Sequence, residues 1–265
     1  MIELKSDAEI AIMREAGLIV AGALAEAQAA VAPGVTTGEL DEIAEKYIRA
    51  AGAIPSFKGY RGFPATLCTS INDEIVHGIP SRKRPLREGD VVSIDCGAIV
   101  RGYHGDSAIT VGVGDISPEL RKLLDVCEES LWRGLAAARL GGRVSDIGAA
   151  IEGYVRPHGY GIVEEYVGHG IGTALHQEPH VPNFGKAGRG PKLERGLALA
   201  VEPMVNLGTR MTRLLEDDWT VVTQDGLPSA HFEHTFTLTT EGPWVLTAQD
   251  GGQARLAALV DAAAR

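Results

Sequence analysis

Asp95 and Asp106 each interrupt a β-branched apolar run, and the two runs, residues 90–100 and 103–111, flank Arg101-Gly102. That pattern predicts a β-hairpin. A turn centred between Arg101 and Gly102 sets Asp106 opposite Gly97, and a turn one residue earlier sets it opposite Asp95. Side chains alternate with period two, so either register puts both carboxylates on one face. Two carboxylates side by side in a buried sheet repel each other and are expensive to desolvate unless something positive lies between them. A divalent metal meets that need. The plainer alternative is that one aspartate caps a turn or pairs with Arg101.

Three further residues share this character. His169 sits in Tyr166-Val167-Gly168-His169-Gly170-Ile171-Gly172, where glycines let backbone crowd around an imidazole in the manner of a metal ligand. The spacing is not the G-x-G-x-x-G of dinucleotide binding. Glu202 ends the apolar run 198–201 with no adjacent base, and a buried glutamate of that kind needs a cation. Glu233 lies in residues 230–238, expected to form a hairpin with residues 219–223 around Asp225-Gly226, with Glu233 on the face opposite Phe232, His234 and Phe236. His176 is too distant from His169 for a helical metal pair and reads as a polar group beside the site. His104, His158, His180, His231 and His234 read as surface or satisfied core residues.

Four carboxylates and one imidazole suit one or two first-row divalent ions. In a two-metal site the ions lie about 3.5–4 Å apart and lower the pKa of a shared water toward neutrality, which is machinery for hydrolysis. A cysteine nucleophile at Cys68 or Cys96 lacks a sequence-evident histidine and orienter of its own.

Such groups must be held by stiff elements. Ser6-Asp7-Ala8-Glu9 is a capping box, followed at helical spacing by Ile10, Met13, Gly17, Val20, Leu24 and Ala27 as far as Pro33-Gly34. A second helix is expected from Thr36 or Thr37 to Gly52, with Leu40, Ile43, Tyr47 and Ile48 inward. Ser117 and Pro118 open a third, with Leu120, Leu123, Cys127 and Leu131 on one face. Sliding the chain on itself by 107 residues aligns Gly34 with Gly141, Tyr47 with Tyr154, Gly89 with Gly196 and Asp95 with Glu202. A constant offset over separated segments predicts an internal duplication. The expectation is one compact α+β domain, residues 1–265, whose pseudo-symmetric halves (about 1–115 and 116–250) bring two sheets together around a shared site.

The sequence holds 25 Lys and Arg against 35 Asp and Glu, a net charge of −10. This argues against nucleic acid or an anionic membrane as the main partner. Three cysteines without metal-ligand spacing fit a reducing compartment. Residues 1–10 lack an apolar signal core, and no run approaches a membrane span. A soluble cytoplasmic protein, given in full, is expected.

Taken in order, His77-Gly78-Ile79-Pro80, Ile94-Asp95-Cys96-Gly97, Gly102-Tyr103-His104-Gly105-Asp106-Ser107, Gly168-His169-Gly170-Ile171-Gly172, His176-Gln177-Glu178-Pro179, Val201-Glu202-Pro203-Met204 and Phe232-Glu233-His234-Thr235 closely resemble the methionine aminopeptidases. The resemblance covers nearly the whole chain and implies the pita-bread fold with its pseudo-twofold. It implies two divalent ions (Co, Mn, Fe or Zn), with Asp106 and Glu233 bridging both, Asp95 completing one, and His169 with Glu202 the other. Glu202 would be the general base toward a bridging water, His176 would hydrogen-bond the scissile carbonyl, and His77 would contact the peptide and leaving nitrogen. The methionine pocket would be Tyr60, Phe63, Cys68, His77, Leu175 and Trp219, with Phe57 at its rim. Phe57, Phe63 and Leu175 depart from the commonest bacterial pattern of cysteine, tyrosine and phenylalanine, yet keep the pocket apolar.

Glu202 and Glu233 are too close in sequence for the helical insertion of the second class, and no extension precedes the first helix, so the resemblance is to the minimal bacterial type I. Its partners would be nascent polypeptide N-termini at the ribosome exit, with no nucleic acid, no membrane and a monomeric chain. The alternatives are a proline-specific aminopeptidase or dipeptidase of the same fold, which usually carries an extra domain ahead of the metal half, and a metal-free binding protein.

Overall fold

The computed structural model describes residues 2–263. Helix α1 (Asp7–Ala30) opens on the expected box: the Ser6 hydroxyl accepts from Glu9 N, and the Glu9 carboxylate accepts from Ser6 N. Helix α2 (Thr37–Ala50) repeats the device with Thr36 and Glu39. Its buried face is Thr37, Leu40, Ala44 and Ile48. Tyr47, expected inward, is exposed and lays its ring across Gly22 of α1, a residue with no Cβ to obstruct it. Helices α3 (Pro118–Ala137), α4 (Val144–Val155) and α5 (Gln253–Ala263) are the other α-helices among the described residues.

The hairpin forms as strands Val91–Val100 and Tyr103–Gly112, with Arg101 and Gly102 both at positive φ, and its register is the one that sets Gly97 opposite Asp106. Two positive φ values in a two-residue turn match the right-handed twist of the flanking strands. Strand Leu67–Ile71 flanks Val91–Val100 and places Cys68 beside Asp95.

Two sheet expectations are corrected. Residues 221–223 do not pair with 230–238. Val221–Thr223 lies between Thr212–Leu214 and Glu74–Val76, Ser229–His231 pairs with Met204–Asn206, and Glu233–Thr239 crosses into the main sheet. Sequence-distant partners win because they bury both faces of short strands that a local hairpin would leave half exposed. The halves also do not meet as two sheets. Glu233–Thr239 pairs with both Tyr103–Gly112 and Ala198–Val201, so a single nine-stranded sheet runs across the seam.

The internal duplication is visible in pairing. Ile54 pairs with Ile99 and Pro55 with Ala98; at the same 107-residue offset Gly161 pairs with Asn206 and Ile162 with Val205. The isolated bridge Thr36–Pro85 recurs as Arg143–Lys192. Ser93 lies between Ser70 and Thr110, and its counterpart Ala200 between His169 and Thr235. Helices α1 and α2 share one apolar core with Val92, Ile94 and Cys96, while α3 and α4 share another with Leu199, Val201 and Phe236. The opposite face of the sheet, at the seam, is left for the acidic groups.

Candidate metal centre

Asp95 and Asp106 come from the hairpin, His169 from strand Gly168–Gly170, Glu202 from the end of Ala198–Val201, and Glu233 from the start of Glu233–Thr239. Ligand atoms of Asp106, His169 and Glu233 lie within 4.8 Å of one another. His169 Nε2 is 3.5 Å from Glu202 Oε1 and 3.9 Å from Asp106 Oδ2. Local rules explain the placement. Pro203 interrupts the strand after Glu202, so the carboxylate sits at a break. The glycines around His169 admit neighbouring backbone: a Cβ on Gly168 would lie 2.3 Å from the Ala200 carbonyl oxygen, and one on Gly170 2.2 Å from that of Glu178.

Burial pushes the Asp95 carboxyl up to about 7, and burial with mutual repulsion holds Asp106, Glu202 and Glu233 well above the usual carboxylate range. Burial holds His169 down to about 3, so its ring is a neutral nitrogen donor at neutral pH. Among the described residues Asp95 Oδ1, Asp106 Oδ1 and Glu233 Oε1 are buried with no hydrogen-bond partner. Orphaned carboxylate oxygens converging beside a neutral imidazole fit a divalent cation, which would supply the missing charge and take up the free lone pairs.

These groups form the floor of a cavity of about 370 Å³. Tyr60, Phe63, Cys68, Leu175 and Trp219 line it together with Phe57, and His77 and His176 reach it between wall and floor. Phe63 and Trp219 meet edge to face with centroids 5.0 Å apart. His77 has φ 62, a strained left-handed backbone, and burial holds its ring down to about 4. His176 is exposed at the mouth; its ring centroid is 4.3 Å from that of His169, and its Nδ1 is 2.8 Å from the Tyr60 hydroxyl. Burial and the Asp95 carboxylate hold the Cys68 thiol well above its usual value, so it is not a ready nucleophile.

Three residues beside the cavity or the acidic cluster escape the sequence reading. His180 faces His169 across the strand pair and lines the cavity; pairing between two short strands leaves no sequence signal. Arg61 lines it from a turn at φ 50. His231 is no satisfied core residue: it is buried with Nε2 unpartnered, 3.9 Å from Glu202 Oε2. Its signal was present, since alternation places it on the face of Glu233. His104 (bonded to Ser56), His234 (bonded to Thr247) and His158 (between Tyr154 and Tyr160) do have conventional partners.

The chain is 53% identical over 247 residues to a methionine aminopeptidase of Clostridium acetobutylicum, covering 93% of this chain and 99% of the relative. It is 52% identical to methionine aminopeptidase 1 of Bacillus subtilis, with the same coverage. A crystal structure of methionine aminopeptidase from Rickettsia prowazekii superposes with a TM-score of 0.92 at 38% identity, over 94% of this chain and all of that one. The pattern of metallopeptidase family M24 matches residues 11–240. A cluster of orphaned carboxylates around one imidazole, on a duplicated sheet shared with such relatives, leaves one conclusion: the chain belongs to metallopeptidase family M24.

Proposed function

We propose that this chain removes the N-terminal methionine from newly made polypeptides whose second residue is small, by metal-dependent hydrolysis. The observation that carries this reading is the convergence of Asp106, His169 and Glu233 ligand atoms within 4.8 Å at the floor of an apolar-walled cavity, in a chain about half identical to methionine aminopeptidases along their full length. Asp95, Asp106, His169, Glu202 and Glu233 hold two divalent ions, drawn from manganese, iron, cobalt or zinc. When bound, such ions supply Lewis acidity and lower the pKa of water toward neutrality.

The protein's own groups do the rest. Glu202 takes the proton of the attacking water and delivers it to the departing amine. His176 donates a hydrogen bond to the scissile carbonyl oxygen and stabilises the charge that develops there. His77, neutral at working pH, contacts the peptide beside the leaving nitrogen. Phe63, Leu175, Trp219 and Cys68 enclose an unbranched thioether and exclude water around it. The substrates are nascent chains in the cytoplasm near the ribosome exit, met by a monomer; among the described residues no helix is long and apolar enough to cross a membrane.

The test is to strip the protein with chelator, restore manganese, cobalt, iron or zinc singly, and measure methionine release from Met-Gly-Met and Met-Leu peptides beside an Ala-Pro peptide. Metal-dependent release, faster with the small second residue, is expected. Cleavage of Ala-Pro instead would overturn the substrate; no cleavage by folded, metal-loaded protein would overturn the activity.

A further inference from the structure

His176 is an exposed imidazole on a loop, and its ring meets the rings of His169 and Tyr60, at centroid distances of 4.3 and 5.4 Å, contacts that do not by themselves select a tautomer. A side chain that must present one particular nitrogen to a carbonyl needs something to choose both its orientation and its tautomer. The Tyr60 hydroxyl, 2.8 Å from His176 Nδ1, is placed to do so. A phenol O–H donates and an imidazole nitrogen without hydrogen accepts, so the contact suits a hydrogen bond from Tyr60 O–H to Nδ1. In that arrangement the ring hydrogen sits on Nε2.

Tyr60 itself is tied into the backbone hydrogen bonds of a tight turn. It begins a tight turn, Tyr60–Gly62, in which Gly59 N donates to the Phe63 carbonyl and Phe63 N donates to the Tyr60 carbonyl. Gly59 and Gly62 have positive φ, as glycine permits, but so does Arg61 between them. A non-glycine residue in that region is strained, and such strain gathers where geometry serves function. The Arg61 guanidinium in turn lies 5.3 Å from the centroid of the Tyr60 ring, covering the phenol.

We propose that Tyr60 is a positioning residue, whose hydroxyl tethers His176 Nδ1 and keeps the imidazole in the Nε2–H form that donates into the cavity. This rests on the reading of His176 as the donor to the scissile carbonyl. It reassigns Tyr60 from the wall of the methionine pocket, where only its bulk would matter, to the orientation of a neighbouring side chain.

Two measurements decide it. Long-range proton–nitrogen spectra of the zinc-loaded protein, which is diamagnetic, report the tautomer of His176 directly. Wild type should show an unprotonated Nδ1 and a protonated Nε2, and Tyr60→Phe should show a mixture. In steady-state kinetics Tyr60→Phe should lower kcat about fivefold to tenfold, the worth of one net hydrogen bond, with KM within about twofold. In a His176→Ala background the same substitution should change neither constant. A protonated Nδ1 in wild type, or an unchanged tautomer in Tyr60→Phe, would overturn the tether. So would a rise in KM that persists in the His176→Ala background, which is the signature of a pocket wall. If neither protein releases methionine, the reading of the activity fails, and the spectra still support or overturn the Tyr60 contact.

Discussion

Two acidic residues of the cluster have separable expected effects. Asp106→Asn removes a proposed ligand and leaves an amide that cannot balance charge; metal affinity measured by calorimetry and methionine release should each fall by more than about a hundredfold. Glu202→Gln keeps the shape and loses the proposed proton acceptor. Its kcat should drop by about 10²–10⁴, while its thermal midpoint stays within a few degrees of wild type. His231 offers a different trade. Its buried Nε2 has no partner, and replacing such a group by an apolar one of similar size is neutral or stabilising. His231→Leu should therefore raise the midpoint of the chelated protein by up to about 4 °C, with lower turnover because Glu202 loses its polar neighbour; calorimetry and the peptide assay read the two arms separately.

The elements differ in how plainly the sequence announced them. Helices α1 and α2 and the hairpin at Arg101-Gly102 were legible because caps, periodicity and turn residues are local. Asp95, Asp106, His169, Glu202 and Glu233 stood out because each breaks an apolar or glycine-rich run. The strands of residues 219–238 were misread because their partners, Glu74–Val76 and Met204–Asn206, are chosen by burial at long range. His180 was invisible for the same reason. The glycines beside His169 are where this long-range packing can be probed. A methyl on Gly170 would meet the Glu178 carbonyl oxygen at 2.2 Å, so Gly170→Ala should cost about 1–3 kcal/mol in denaturant unfolding and weaken metal binding by displacing the His169 strand.

At the scale of the molecule, charge at the seam should govern stability. In chelated protein the Asp95 carboxyl is held up to about 7 by burial. A raised carboxyl contributes stability that is fully present below its unfolded value near 4 and is lost as pH rises through 7. Metal binding needs the deprotonated ligands and so grows stronger over the same range. The rise in thermal midpoint on adding manganese should therefore increase from pH 5 to pH 8, measured by paired melts with and without the ion. We propose also that the two halves unfold together, because strand Glu233–Thr239 is shared by both; coincident fluorescence and circular dichroism transitions are expected, and two separated ones would show independent halves.

Two half-length chains meeting as a symmetric dimer would place every residue at their axis twice. Asp95 and Glu202 still look like such a pair. The other positions do not: the sheet register matches Asp106 with His231, Ala108 with Glu233, and Ser70 with His169. Histidine at one matched position and serine at the other is a composition no homodimer of identical halves could reach. Held in one chain, the two halves can differ at matched positions, and His169 against Ser70 is such a difference.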